Sequence, residues 1–199
     1  DMNGVVISNT SVSQPTSPTP ITAEAWFKIP AADAGAEMSN TVVSLGADAF
    51  HFHVRFAGSP DTNVYPTLHI YNGTEFQSNY ARVTSSDGWA YGEWHHFAVT
   101  YDTSRDNPVE FFFDGKLLET KDSGQPPITD EFARRDQNGL VAGKAWPPSA
   151  PTQTFNPLHG SIDEVRVSNS VRYGSTGYPL LHMKFDGDLT DSSPNGNDG

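Results

Sequence analysis

The feature that most constrains the fold is a two-residue alternation of apolar and polar side chains. Between positions 50 and 56, phenylalanine or valine stands at every even position and histidine or arginine at every odd one. Successive side chains of a β-strand point to opposite sides of the sheet, so this pattern predicts a strand with one buried face. No stretch of the chain shows the three- and four-residue spacing of a convincing amphipathic helix.

Similar alternation, separated by turn signals, runs along most of the chain. The segments that we predict to be strands are 5–8, 22–28, 41–45, 50–56, 67–71, 75–83, 94–101, 109–113, 116–121, 140–143, 161–168 and 180–185. Asp114-Gly115 predicts a tight hairpin, since such turns need positive φ. A short helix is expected around Asp130 to Arg135. So many short strands predict an all-β fold, a two-sheet antiparallel β-sandwich of the jelly-roll type.

Composition limits the classes of partner. The chain has 199 residues, which favours one domain spanning 1–199, and its net charge is −12. That charge repels phosphate backbones and anionic lipid surfaces, so we expect no nucleic-acid partner and no membrane insertion. Cysteine is absent, which excludes disulfides, thiolate zinc sites and cysteine nucleophiles. The chain begins at Asp1, as a processed or excised piece of a longer protein would.

Four motifs in order carry a family resemblance. They are Ile21 to Trp26, Gly92 to His96, the Asp114-Gly115 hairpin and Gly160 to Val167. With them the chain resembles the laminin-G-like branch of the concanavalin A-like lectin/glucanase superfamily. The resemblance implies a jelly-roll sandwich. It constrains activity less, because this fold serves lectins, adhesion modules, virion proteins and glycan-cleaving enzymes.

The resemblance also implies a structural calcium ion. In related sandwiches, including bacterial β-glucanases of the lichenase type, an aspartate that opens a strand of the form Asp-x-Val-Arg-Val supplies a carboxylate to calcium. Asp163 stands at the matching position here, and Gly46 could offer a main-chain carbonyl from an early loop. Calcium accepts six to eight oxygen ligands, several of them neutral. The alternative is that Asp163 bonds only to backbone amides of its own loop.

The C-terminal segment 180–199 resembles the segment that normally opens a laminin-G-like domain. It could fill a vacant position in its own sheet, begin the next unit of a tandem array, or pair with a neighbouring chain to build a homo-oligomer or polymer. We favour the first possibility. An acidic run within this segment, Asp186 to Asp191, does not match a helix-loop-helix calcium loop, and we interpret it as a polar turn.

Aromatic residues in loops are the candidate ligand contacts. Sugar rings stack on exposed indole and phenol faces. Trp146 lies in a proline-stiffened loop, and Trp89 and Tyr91 lie in a turn after the sixth predicted strand, so these three are the predicted ligand-binding residues. We assign the remaining tryptophans, Trp26 and Trp94, to the core.

The histidines fit structural roles better than metal ligation. His95 and His96 are adjacent, so on one strand they face opposite sides of the sheet. His51 and His53 share a face that His69 could join across strands. A zinc or nickel site there is conceivable, but an ordinary polar sheet face is the better interpretation.

The sequence lacks the residue patterns that catalysis requires in this fold. Retaining glycosidases need two carboxylates about 5–5.5 Å apart, and no strand carries alternate acidic residues. The Gln-x-His strand and the arginine-rich strand of alginate-lyase relatives are also absent. We therefore predict a non-catalytic recognition or adhesion module, extracellular or on a cell or virion surface, that binds a glycan or a surface protein. A strand-exchanging structural subunit of a fibre, coat or virion and a divergent polysaccharide hydrolase or lyase are the alternatives.

Overall fold

The computed structural model describes residues 5–7, 20–34, 38–45, 49–57, 60, 62–122, 126–131, 133, 140–142, 159–173 and 179–183. They form two stacked antiparallel sheets. The strands, in chain order, are β1 (Val5–Ile7), β2 (Ile21–Lys28), β3 (Met38–Leu45), β4 (Phe50–Phe56), β5 (Val64–Tyr71), β6 (Phe76–Tyr80), β7 (His95–Tyr101), β8 (Val109–Phe113), β9 (Lys116–Leu117), β10 (Lys121–Asp122), β11 (Leu140–Ala142), β12 (Ser161–Ser168) and β13 (Pro179–Met183).

One sheet has seven strands in the order β1-β11-β3-β4-β5-β6-β10, and the other has six in the order β13-β12-β2-β7-β8-β9. Every pairing between these strands is antiparallel, which confirms the predicted all-β sandwich. Each of the twelve predicted strand segments has a counterpart. The segment predicted at 116–121 is divided between β9, which continues the six-stranded sheet, and β10, which pairs with β6 in the other sheet.

The predicted helix around 130–135 is wrong in its described part. Asp130, Glu131 and Ala133 are not helical. This segment instead docks on β5 and β6: Gln77 Oε1 of β6 accepts the Asp130 amide at 3.2 Å, and the Tyr71 carbonyl of β5 accepts the Ala133 amide. Hydrogen bonds to a sheet edge therefore replace the intrahelical ones. In the described parts of the chain, no helix is long and apolar enough to cross a membrane.

The alternation read from the sequence places the core between the sheets. Phe27 of β2 stacks on Phe97 of β7, with centroids 4.6 Å apart, and meets Phe56 of the opposite sheet edge-on at 6.4 Å. All three rings are fully buried. Burying a phenylalanine contributes about 1.5–3 kcal/mol, so these aromatic contacts account for much of the adhesion between the layers.

Two local features fix the geometry that matters for the candidate site. Asp114 and Gly115 have φ of 46° and 77°, so the predicted hairpin between β8 and β9 is confirmed. In β12, Glu164 has φ of 50°, and the pairing with β2 skips from Asp163↔Trp26 to Arg166↔Glu24. This is a β-bulge, which places one extra residue opposite β2 and re-aims the side chains beyond it.

Candidate functional site

Two tryptophans are exposed on the outer side of the six-stranded sheet. Trp26 is 40% exposed and Trp94 is 41% exposed, so their assignment to the core is wrong. Trp26 alternates with the buried Ala25 and Phe27 and therefore faces outward from β2. Trp94 directly precedes β7, whose first residue, His95, is buried, so its own side chain lies on the outer side.

These two indoles border a cavity of about 630 Å³ at one end of the six-stranded sheet. We call it the tryptophan cavity. Its lining residues are Trp26, Gly88, Glu93, Trp94, His95, His96, Asp114 and Gly115. It thus combines aromatic surface with carboxylates and imidazole nitrogens, which can accept or donate hydrogen bonds.

The floor of the tryptophan cavity is held by the hairpin aspartate. Asp114 Oδ2 lies 2.9 Å from His95 Nδ1, and Asp114 Oδ1 accepts the His96 amide at 2.8 Å. His95 Nε2 lies 3.2 Å from the Ala90 carbonyl oxygen, which ties the preceding loop to the same ring. Both oxygens of this carboxylate are therefore engaged. The result is a rigid support for the wall that carries Trp94.

The indole rings are also positioned by cationic and aromatic neighbours. The Lys28 ammonium lies 5.3 Å from the centre of the Trp94 ring, within cation–π distance. The His96 imidazole packs against Trp26 with centroids 5.4 Å apart and ring planes tilted by 52°. One face of each indole is thereby supported while the side chain keeps substantial exposure.

Beyond Trp26, the outer face of the same sheet is covered. Residues 169–173, which we call the crossing segment, lie over β2 and β8. Thr22 Oγ1 donates to the Ser170 carbonyl at 2.7 Å and accepts the Arg172 amide at 3.1 Å. The Tyr173 ring stacks on Phe112 at 4.0 Å, with planes 13° apart.

Glu24 is the charged centre under the crossing segment. It is 7% exposed and lies 3.3 Å from Arg172, 3.6 Å from Arg166 and 3.6 Å from His96, while Tyr173 donates to it at 3.1 Å. Burial raises the pKa of the Glu24 carboxyl, but the His96 hydrogen bond and the two guanidinium charges outweigh burial, so its pKa lies below the ordinary value. Glu24 is therefore an ionised and enclosed carboxylate.

The predicted ligand-binding residues are placed differently from expectation. Trp89 is 5% exposed and belongs to the hydrophobic core, with its ring 4.9 Å from His95 and 5.4 Å from Phe56. A ring this buried offers little face for stacking. Tyr91 is partly buried and packs 5.5 Å from Trp89. Trp146 lies outside the described residues.

The predicted calcium ligands are only partly described. Asp163 is half-buried on β12, opposite Trp26, and its Oδ1 accepts the Glu164 amide at 2.7 Å. Gly46 lies outside the described residues. Across the residues that are described, no group of three or more histidine, cysteine, aspartate or glutamate side chains is arranged to hold a metal ion.

The histidines of the other sheet do come together as the alternation predicts. The rings of His51, His53 and His69 lie on the outer face of the seven-stranded sheet, with His53 stacked on His69 at 4.9 Å and His51 5.0 Å from His53. Burial lowers the pKa of His51 to about 3 and that of His69 to about 4, and it lowers the pKa of His53 well below its usual range. All three rings are neutral at pH 7.

A signal for the exposed tryptophans was present in the sequence. Trp26 shares its phase in β2 with Glu24 and Lys28, and the opposite phase holds Ala23, Ala25 and Phe27. The apolar phase is the one that faces the core, so the alternation alone places Trp26 outside. The assignment of Trp26 to the core disregarded this alternation.

Solved structures with the same fold share little sequence with the chain. A candidate carbohydrate-binding protein from Bacteroides ovatus matches with a TM-score of 0.58 and 18% identity, over 98% of this chain and 53% of its own. Tailspike protein 2 of the Escherichia coli O157:H7 bacteriophage CAB120 matches with a TM-score of 0.58 and 12% identity, over 94% of this chain and 29% of its own. Domains LG4-5 of the mouse laminin alpha1 chain match with a TM-score of 0.51 and 11% identity, over 92% of this chain and 44% of theirs.

The chain therefore spans about half the length of the first of these structures and less of the other two. At such identities the likeness establishes the fold. No curated protein sequence matches the chain. The Laminin_G_3 family model matches residues 3–175, which is most of the chain. The protein belongs to this laminin-G-like family of the concanavalin A-like lectin/glucanases superfamily.

Proposed function

We propose that the protein is a non-catalytic carbohydrate-recognition module that acts outside the cytoplasm and binds its glycan in the tryptophan cavity. The observation that carries the proposal is the pair of tryptophans, Trp26 and Trp94, each about 40% exposed on a rigid sheet beside hydrogen-bonding groups. Exposed apolar surface rimmed by polar groups in a concave site is typical of ligand sites.

The chemistry of the cavity suits a sugar. The apolar C–H face of a pyranose stacks on an indole, and its hydroxyl groups need donors and acceptors at the edge. Glu93 is exposed at the rim and can accept from hydroxyls, and His96 can donate or accept. Because β2 and β7 are paired along their lengths, both walls are preorganised, which reduces the entropy lost on binding.

The carboxylates around the cavity support recognition over hydrolysis. A glycosidase needs one carboxylate free to donate or accept a proton and a second free to attack or to activate water. Both oxygens of Asp114 are hydrogen-bonded, and Glu24 is enclosed by two arginines and the crossing segment. Neither is presented to a ligand as a proton donor, which leaves Glu93 as the remaining exposed carboxylate of the described lining and the required pair incomplete.

The test is a glycan array probed with the wild type, Trp26→Ala, Trp94→Ala and Leu117→Ala. Leu117 is the matched control because it is 61% exposed on the same sheet but does not line the cavity. Covering about 100 Å² of indole contributes about 2.5 kcal/mol, so each tryptophan variant should bind about ten- to a hundredfold more weakly. Equal signals from the wild type and both tryptophan variants would contradict the proposal.

Trp146 stays a predicted ligand contact, and Trp146→Ala belongs on the same array. Loss of signal with Trp146→Ala but not with Trp26→Ala would move the glycan site to the loop that holds Trp146. A surface protein remains the alternative partner. Binding of the same tryptophan variants to cells before and after glycosidase treatment distinguishes a glycan from a protein ligand.

We also propose a structural calcium ion bound by Asp163 and the Gly46 carbonyl. The support is the half-buried carboxylate, one oxygen of which is already oriented by the Glu164 amide. Backbone carbonyls would supply most of the remaining ligands. Added calcium should raise the melting temperature of the wild type, and Asp163→Asn should abolish the increase. An increase that persists in Asp163→Asn would place the ion elsewhere.

We further propose that the tail closes its own domain. The support is β13, which pairs with β12 of the same chain from Val165↔Met183 to Ser168↔Pro179. A module of this kind elutes as a monomer, and a variant that lacks 180–199 loses stability without changing its oligomeric state. Concentration-dependent polymers that disappear on the same deletion would instead support the strand-exchanging structural subunit.

A further inference from the structure

The permanent charges of the tryptophan cavity have one sign. Its described lining carries two carboxylates, Glu93 and Asp114, and no lysine or arginine. Asp114 accepts from an imidazole nitrogen and from a backbone amide, so no permanent cation is paired with it. The chain as a whole is also negative, with a net charge of −12. A concave site lined by one sign of charge concentrates ligands of the opposite sign.

Glu93 is the carboxylate that a ligand can reach. It is exposed directly before Trp94, and within the described residues its side chain makes no hydrogen bond or ion pair. Its backbone is fixed on both sides, since the Gly92 amide donates to the Ile29 carbonyl at 2.7 Å and β7 begins at His95. Both carboxylate oxygens therefore remain able to accept charge-assisted hydrogen bonds from a cation.

The two indoles favour a cation as well. The face of an aromatic ring attracts an ammonium group, and tryptophan does so most strongly. Lys28 already makes this interaction, because its ammonium lies 5.3 Å from the centre of the Trp94 ring, although Lys28 does not line the cavity. One ammonium charge offsets only one of the two carboxylate charges. Trp26 and Trp94, 40% and 41% exposed, leave ring surface open to a second cation.

We infer that the tryptophan cavity takes an amino sugar, a hexosamine unit whose nitrogen is not acetylated and carries a proton. The inference rests on the glycan-binding function proposed for this cavity and names the class of sugar. The ammonium group donates to Glu93, and an indole stacks on the apolar face of the sugar ring. Uronic acids and sulfated sugars should bind more weakly, because the same carboxylates repel them. Lysine side chains also carry ammonium groups, but they offer no ring for the indoles to stack on.

The experiment is an NMR titration of the full chain, at a pH slightly below neutral, that follows the indole N–H signals of Trp26 and Trp94. The sugar probes are methyl glucoside, methyl glucosaminide, methyl N-acetylglucosaminide and methyl glucuronide. Acetylation removes the charge but keeps the ring and the nitrogen, and a further probe, Nα-acetyl-lysine amide, carries the ammonium without a sugar. The variants are Glu93→Gln and the matched control Glu75→Gln. Glu75 is also exposed, so its replacement removes the same charge, but it does not line the cavity.

Methyl glucosaminide should shift both indole signals and bind about tenfold more tightly than its N-acetyl form, because a hydrogen bond between charged groups is stronger than one between neutral groups. Methyl glucuronide should bind most weakly of the sugars. Glu93→Gln should lose most of the preference for the amine, since glutamine keeps the hydrogen-bonding atoms but not the charge, while its melting temperature stays close to wild type. Glu75→Gln should behave as wild type.

Three results would overturn the inference: equal affinity for the glucosaminide and its N-acetyl form, an equal loss of preference in Glu93→Gln and Glu75→Gln, which would indicate only the overall charge, or lysine amide binding as tightly as the glucosaminide. Trp26→Ala keeps this inference apart from the proposed function. If all four sugars bind equally and Trp26→Ala abolishes their binding, the amine inference fails and the glycan site stands. If no sugar shifts either indole signal and the array is silent, both fail.

Discussion

The two outer faces of the sandwich hold buried titratable groups in opposite ways. Under the crossing segment, Glu24 stays ionised because the guanidinium groups of Arg166 and Arg172 compensate its charge. On the seven-stranded sheet, burial lowers the pKa values of His51, His53 and His69, and their rings stay neutral at pH 7. A buried ionisable group must be paired or neutral, and this molecule uses one solution on each face.

The largest expected difference between the faces appears on acidification. Burial lowers the pKa of His51 to about 3 in the folded state, against an ordinary value of 6.5. Between those pH values the unfolded chain binds more protons, so the free energy of unfolding falls as the pH drops below 6.5. The slope is up to about 1.4 kcal/mol per pH unit for each such histidine. Urea unfolding at pH 7 and pH 5 measures this pH dependence. The proteins compared are the wild type and a triple variant that carries His51→Gln, His53→Gln and His69→Gln.

The pH window separates the two faces. Glu24 has a lowered pKa, so its contribution is present above its unfolded pKa and is lost only as the pH falls through the lower, folded value. Between pH 7 and pH 5 the Glu24 carboxyl stays largely ionised in both states, so of the two faces the histidine face should respond more strongly. The triple variant should therefore show a flatter profile than the wild type. An identical pH dependence of both proteins would mean that the three imidazoles do not determine acid stability.

Replacing Glu24 should destabilise the face on which it is paired with two arginines. Glu24→Ala leaves Arg166 and Arg172 half-buried without their carboxylate, and we expect a loss of about 3 kcal/mol in the free energy of unfolding. The control is Glu110→Ala, which removes a shorter ion pair, 2.6 Å, with Arg105, a side chain that is 40% exposed. Exposed pairs contribute about 1 kcal/mol or less, so similar losses in the two variants would contradict an enclosed Glu24.

A smaller effect tests whether the crossing segment is held by its charge or by its ring. Tyr173→Phe keeps the stack on Phe112 but removes the hydroxyl that donates to Glu24. One hydrogen bond to a charged group is worth about 1.5 kcal/mol, so a loss near that value is expected by urea unfolding. Tyr173→Leu, which removes both contacts, should lose more. Equal losses would show that the hydroxyl contributes everything.

Local alternation predicted the strands, but not the contacts that join distant parts of the chain. The even and odd positions of 50–56 predict both the buried phenylalanines and the histidine face, and Asp114-Gly115 predicts its hairpin. The crossing segment depends on bonds such as Thr22 to Ser170, 148 residues apart, and no local pattern encodes that pairing. The bulge at Glu164 likewise has no turn signature, since glutamate seldom adopts positive φ.

The candidate site shows where residue type misleads. Trp26 was assigned to the core and Trp89, in a turn, was predicted to contact a ligand, yet Trp26 is 40% exposed and Trp89 is 5% exposed. For Trp26 the strand phase was the better guide. Trp89 lies outside any strand, so no alternation predicts which way its side chain points. Its burial follows from the way its turn folds back onto Phe27 and Phe56, which only the tertiary structure defines.

The smallest expected effect concerns the stability of the tryptophan variants, and it separates a binding role from a structural one. Trp26→Ala and Trp94→Ala remove rings that are about 40% exposed, so each should lower the free energy of unfolding by about 1 kcal/mol, less than a core substitution. Trp89→Ala empties a core position and should cost about 3–5 kcal/mol. If Trp26→Ala and Trp94→Ala destabilise the protein as strongly as Trp89→Ala does, the exposed indoles serve the fold. If stability holds while glycan binding is lost, the two indoles act in ligand binding and not in folding.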